Sequence, residues 1–125
     1  MTRLRHLCHT GGLPVAAALL CAACASQPKT LYYWGSYQPQ VYAYLKAQDG
    51  DHAAEIIALE KTQEQARAAN KALPPGFQAH LGMLHIAAGK PDLARQAFEA
   101  EKASVPESAT YMDFMLAKLS GGETQ

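Results

Sequence analysis

The chain is cut at intervals by helix-breaking residues, and this punctuation limits its fold more than any other feature. Pro39, the Asp49-Gly50-Asp51 run, Pro74-Pro75-Gly76, Gly89-Lys90-Pro91, Pro106 and Gly121-Gly122 bound successive segments whose apolar residues recur every three or four positions. That spacing is helical, and no segment alternates as a strand does. Pro39 suits the first turn of a helix running to about Gln48. Gly50 is placed to close that helix and Asp51 to cap the next, His52 to Leu73, whose stripe is Leu59, Thr62, Ala66, Ala69 and Leu73. A third helix, Phe77 to Ala88, carries Phe77, Leu81, Leu84 and Ala88 on one side and further apolar residues elsewhere, so it is expected between neighbours on both sides. A fourth runs to Ser104 with Leu93, Ala94, Ala97 and Phe98 facing inward. Ser108 is placed to cap a fifth carrying Tyr111, Met112, Met115, Leu116 and Leu119. The fold class expected is all-α: antiparallel helix pairs in a small stack of about five helices.

One stretch fits a repeat template. Tetratricopeptide units carry Leu-Gly, an aromatic three residues later, an Ala-x-x-x-Phe pair in the second helix and a closing Pro. Leu81, Gly82, His85, Ala94, Phe98 and Pro106 fall at those spacings, with His85 where an aromatic is usual and Gln78 where Trp is usual. Gly82 would let two backbones approach, Ala94 would fill the contact, and Phe98 would wedge between layers. Val41 to Pro74 matches the template poorly, which suits a terminal repeat. A generic helical bundle is the alternative.

The start of the chain reads as an export signal and not as fold. Arg3 and Arg5 precede the apolar run Leu13 to Ala23, which is too short to span a bilayer. Ala22-Ala23-Cys24 resembles the bacterial lipobox, with Cys21 where Leu is commoner. The expected organisation is a signal peptide over 1–23, an acylated Cys24 with a polar tether over 24–30, an aromatic segment plus helical domain over 31–120, and a disordered tail over 121–125. Of three cysteines, Cys8 and Cys21 would leave with the signal, so no internal disulfide is expected and acylation accounts for Cys24. An ordinary secreted protein with a lone thiol is the alternative. Ala25 follows the cysteine where Asp would retain a lipoprotein at the inner membrane, so the resemblance implies the outer membrane, periplasmic side.

The mature 24–125 chain would carry nine basic and eleven acidic residues. No basic patch is visible, and a nucleic-acid partner is not expected. His52, His80 and His85 lack metal-ligand spacing, since His80 and His85 are five apart and point to different helix faces. No nucleophile sits in a catalytic pattern, no glycine-rich loop follows a strand, and no small-molecule substrate is evident. Neither an enzyme nor a cofactor is expected. The remaining feature is LYYWGSYQPQVYAYLK, Leu31 to Lys46, which holds Trp34 and five of six tyrosines. Tyr and Trp combine apolar area with a polar tip and are enriched at interfaces. In an extended chain Tyr33 and Gly35 face one way, Tyr32 and Trp34 the other. Tyr32 and Trp34 are therefore the partner-binding candidates, and about half of the aromatics are expected to pack on the helices.

LYYWGSYQPQVYAYLK, PPGFQAHLGMLH and PESATYMDFMLAKL are similar to the motifs of a family of bacterial lipoproteins known only as a domain of unknown function. The resemblance covers nearly all of the mature chain. It implies an outer-membrane location and partnership with other envelope lipoproteins, including one like the curli secretion channel, and it offers no catalytic residues. The function expected is a helical protein-interaction adaptor in an envelope assembly or secretion complex. A cell-wall factor that binds peptidoglycan or its synthases is the alternative.

Overall fold

The computed structural model describes residues 30–46 and 52–122. The expected signal segment, Cys24, the tether up to residue 29, the break at 49–51 with its two caps, and residues 123–125 lie outside the described residues. Among the described residues five α-helices follow one another: α1 Tyr37–Lys46, α2 Ala53–Ala68, α3 Phe77–Ala87, α4 Pro91–Ser104 and α5 Ala109–Gly122, with a 3-10 turn at Pro106–Ser108. Among the described residues there is no strand, only an isolated parallel bridge between Tyr32 and Ala72. Cross-helix bonds fix the alternating direction. Glu101 near the end of α4 meets the start of α3, and Arg95 near the start of α4 reaches Ser120 near the end of α5. The chain is an all-α stack of the expected kind.

Local chemistry sets the helix ends. In α1, Pro39 falls within the first turn, where its missing N–H has no helical acceptor to lose. The second helix is shorter than the apolar stripe suggested. Asn70 adopts a left-handed φ of 50°. Its N–H bonds the Arg67 carbonyl at 3.1 Å, and the Lys71 N–H bonds that of Ala66 at 3.0 Å. This paired reversal stops α2 at Ala68. Ala69 is consequently exposed, and Leu73 joins the core from a loop. The same reversal follows α3, with Gly89 bonding Ile86 and Lys90 bonding His85.

Three smaller expectations are corrected. The Ser108 hydroxyl donates to the Val105 carbonyl at 2.7 Å and does not cap α5, which continues out of the 3-10 turn. α5 extends through Gly121 and Gly122, because neither glycine takes the left-handed conformation that would close the helix and start a tail there. Leu93 is exposed, since the inward arc of α4 is centred on Ala94, Ala97, Phe98 and Glu101, and Ala88 is exposed because it lies just past the end of α3 at Ala87.

The core lies on both sides of α3. One cluster joins Ile56 and Leu59 of α2 to Phe77, Leu81 and Leu84, with Tyr37, Tyr44 and Leu73 against it. The other joins Ala94 and Phe98 of α4 to Met112 and Leu116 of α5, with Ala79 and Met83 of α3 against it. This is why α3 is apolar around most of its circumference. The template positions meet at the α3–α4 contact. A Cβ at Gly82 would lie 2.5 Å from Phe98 Cε1 and 2.7 Å from Cδ1, so only glycine admits the fully buried ring there. Leu81 and Ala94 are buried beside them, and Pro106 opens the 3-10 turn beyond α4.

Candidate functional site

The aromatic segment divides into parts with different surroundings. Tyr37 and Tyr44 turn inward: Tyr37 lies 5.2 Å from the Phe77 ring, and Tyr44 meets the His80 ring edge-on at 5.2 Å. Tyr33 turns towards α2, where its hydroxyl donates to Gln65 Oε1 at 3.3 Å. Tyr32 and Trp34 stay together, ring edge to face at 6.5 Å, and Trp34 stacks on Tyr37 at 6.2 Å. Tyr42 points outward. The segment is held by polar contacts as much as by apolar ones. The Tyr33 N–H bonds the Ala72 carbonyl at 2.8 Å. The Ser36 and Thr62 hydroxyls lie 2.8 Å apart, both within hydrogen-bond reach of the Ala58 carbonyl. Gly35 makes that approach possible: its φ is 46°, and a Cβ there would collide with Thr62 Cγ2.

Tyr32 walls a groove of about 730 Å³ between the loop after α2 and the end of α4. Its apolar walls are Tyr32, Leu73, Pro74, Pro75, Val105 and Pro106, and Gln78, Ser104, Glu101 and Glu107 supply its polar groups. Trp34, 41 % exposed, stands against Tyr32. The two residues singled out by alternation are thus together, one lining the groove and one beside it. Of the repeat-template residues, Pro106 is one of the groove's walls, and Leu81, Gly82, Ala94 and Phe98 lie elsewhere, in the α3–α4 contact. A second groove of about 430 Å³ runs between α2, α3 and α4, with Glu60, Glu64, Arg67, Gln96 and His85 among its walls.

Glu101 was not visible as a site residue from sequence. It is 2 % exposed, and its carboxylate accepts the N–H groups of Gly76 at 2.6 Å, Gln78 at 3.1 Å and Ala79 at 3.3 Å. A negative group at a helix N-terminus bonds the donors that the first turn cannot satisfy. Here the cap comes from 25 residues away. Its only sequence signal is a Glu in phase with the buried arc of α4. Glu101 also acts on Tyr37, whose phenol is held above its ordinary 10.0 by burial first and by this carboxylate second.

His80 and His85 are buried residues facing different neighbours. His80 meets Tyr37 and Tyr44 of α1, and His85 faces Glu60 of α2 at 4.0 Å. His80 Nε2 and His85 Nδ1 are buried without a hydrogen-bond partner. Burial lowers both pKa values from 6.5. Glu55 opposes that effect at His80 while His52 adds to it; at His85, Glu60 opposes it while Lys90 adds to it. His52 itself pairs with Glu55 at 2.9 Å. Among the described residues no three His, Cys, Asp or Glu side chains converge as a metal set, and no described helix is long and apolar enough to cross a membrane.

A match to a domain of unknown function, DUF4810, spans residues 31–115. The chain belongs to that family. The DUF4810 match begins at Leu31, where the aromatic segment begins, and reaches Met115 in α5, so every wall of the larger groove lies inside it. No curated protein and no solved structure matches the chain.

Proposed function

We propose that this DUF4810 protein is an outer-membrane lipoprotein, acylated at Cys24 and facing the periplasm, that serves as a helical adaptor in an envelope assembly or secretion complex. Its partners would be other envelope proteins, lipoproteins like the curli secretion channel among them. The observation that carries the adaptor role is the groove: Tyr32 walls it, and Trp34 stands half-exposed against Tyr32. An apolar groove with a few polar groups and an adjacent large aromatic suits the docking of a protein segment.

Crosslinking in native membranes followed by mass spectrometry identifies what occupies the groove. Trp34→Ala is expected to weaken co-purification of that partner by roughly thirtyfold, the equivalent of about 2 kcal/mol, while the helical circular dichroism signal and the melting temperature stay close to wild type. Loss of the fold in place of loss of the partner would put Trp34 in the core and remove it from docking. Recovery of peptidoglycan synthases in place of channel-like lipoproteins would favour the cell-wall role. The anchor is tested separately with a clickable fatty acid. Cys24→Ala is expected to abolish labelling and Cys21→Ala to preserve it; equal labelling of wild type and Cys24→Ala would overturn the lipoprotein assignment.

A further inference from the structure

Charge is unevenly divided along the chain. The first 46 residues contain no Asp or Glu, and all eleven acids lie from Asp49 onward. Between Cys24 and Lys46 the only charged residues are Lys29 and Lys46, a formal +2. From residue 47 to the end, seven Lys and Arg face eleven acids, a formal −4. The apolar exposure follows the same division. No residue of α1 is fully buried. Tyr42 and Leu45, less than one turn apart on its outward side, are 63 % and 74 % exposed, and Leu31, in the segment that leads to the helix, is 82 % exposed. Lys46 Nζ lies 5.2 Å from the centre of the Tyr42 ring, so cation and aromatic occupy one patch. The exposed aromatic pair on α5, Tyr111 and Phe114, also has a cation beside it, Lys118 Nζ at 5.5 Å from the Phe114 ring, but that helix carries an acid, Asp113, which pairs with Lys102.

A Lys beside Tyr and Leu, on a helix that itself carries no acid, is the composition of a helix lying in the interfacial zone of a bilayer. Anionic lipid headgroups attract Lys and repel the acidic remainder of the domain. The chain length agrees. The seven steps from Cys24 to Leu31 reach at most about 25 Å at ~3.3–3.6 Å each, so a domain anchored at Cys24 stays at the lipid surface. Tethering also raises the effective concentration of the patch at that surface, so a small apolar face is enough to orient the domain.

We propose that the outward face of α1, with Tyr42, Leu45 and Lys46, rests in the interfacial zone of the bilayer and turns the acidic helices away from it. This orientation rests on the assignment of an acyl anchor to Cys24. The test uses full-length protein purified from membranes, and its intact mass reports acylation independently of orientation. In a Trp34→Phe background, Tyr42→Trp and Phe114→Trp place one fluorescent probe at each end of the domain. Each protein is reconstituted into vesicles of phosphatidylethanolamine and phosphatidylglycerol carrying brominated acyl chains, which quench nearby tryptophan.

The expected result is quenching of the Tyr42→Trp probe about twofold or more beyond that of Phe114→Trp, reduced when phosphatidylglycerol is omitted and when Leu45→Glu and Lys46→Glu are added. An acylated protein with equal quenching at the two probes, or with none at either, overturns the orientation and leaves the anchor standing. A protein without acyl chains overturns both. A photoreactive residue at position 42 that crosslinks in native membranes to a protein and not to lipid also overturns the orientation, because a partner would then cover the face.

Discussion

The two ends of the domain are held by different means. The α3–α4–α5 end is a close apolar contact: Phe98, Ala94 and Met112 are all but sealed from solvent, and Gly82 takes the Phe98 ring against its backbone. The α1 end contributes no fully buried residue. It is held by the flanks of Tyr37 and Tyr44, by the Ser36–Thr62 hydroxyl pair and by one backbone bond to Ala72. Elements with few buried apolar contacts open at lower free energy than the core. The part of the molecule that carries Trp34 and Tyr42 is therefore also the part less tightly bound to the rest, which suits a segment that adjusts to what it touches.

The largest expected effects lie at the tight end. Phe98→Ala should cost about 3–5 kcal/mol by leaving a cavity, and Gly82→Leu roughly 1–3 kcal/mol by overfilling the same contact. Thermal melts should therefore fall for two substitutions of opposite volume change. A rise for Gly82→Leu, which an exposed helix position would give through better helix propensity, would break the comparison. Glu101→Gln should come next, at about 1.5–3 kcal/mol, because the charge that accepts three N–H groups is lost. Hydrogen exchange should show the first turn of α3 opening ahead of its remaining turns.

Acidification should act on the loose end. His80 and His85 have folded pKa values below the ordinary 6.5, so the native state binds fewer protons than the unfolded chain. Their stability contribution is complete above pH 6.5 and falls as the pH drops below it towards the lowered values. Because His80 touches Tyr37 and Tyr44, protection of the α1 amides, corrected for the slower intrinsic exchange at lower pH, should fall more than that of α4 and α5 between about pH 7.5 and about pH 5. A uniform loss of protection would remove the distinction between the two ends. The smallest effect is expected for Ser36→Ala, about 1 kcal/mol, measured as faster exchange in α1 with little change in the global melt.

How far the sequence could be read depended on the range of each interaction. Gly82, Ala94 and Phe98 were legible because a helix pair joined by a three-residue turn converts fixed spacing into a fixed contact. Tyr32 and Trp34 were separable from Tyr33 because alternation in an extended segment is local. Glu101 was not legible as a cap, because its partners at Gly76, Gln78 and Ala79 are set by how α4 folds back on α3. The end of α2 was missed for a different reason. The apolar stripe continues past Ala68 to Leu73, and only the left-handed turn at Asn70 separates helix from loop. Ser36 and Thr62 gave no signal, since their hydroxyls meet only once α1 lies across α2.

The parallel bridge between Tyr32 and Ala72 has a mechanical consequence. It fastens the beginning of the domain to the loop that leads into α3. A pull on the chain ahead of Leu31 is met first by the Tyr33–Ala72 bond, before the helical turns of α1. The load then passes along Ala72 to Pro75 into the first turn of α3, which the Glu101 carboxylate grips from α4. Tension from a membrane tether would thus enter at the best-braced part of the molecule, and α1 would lie beside the line of force, not along it.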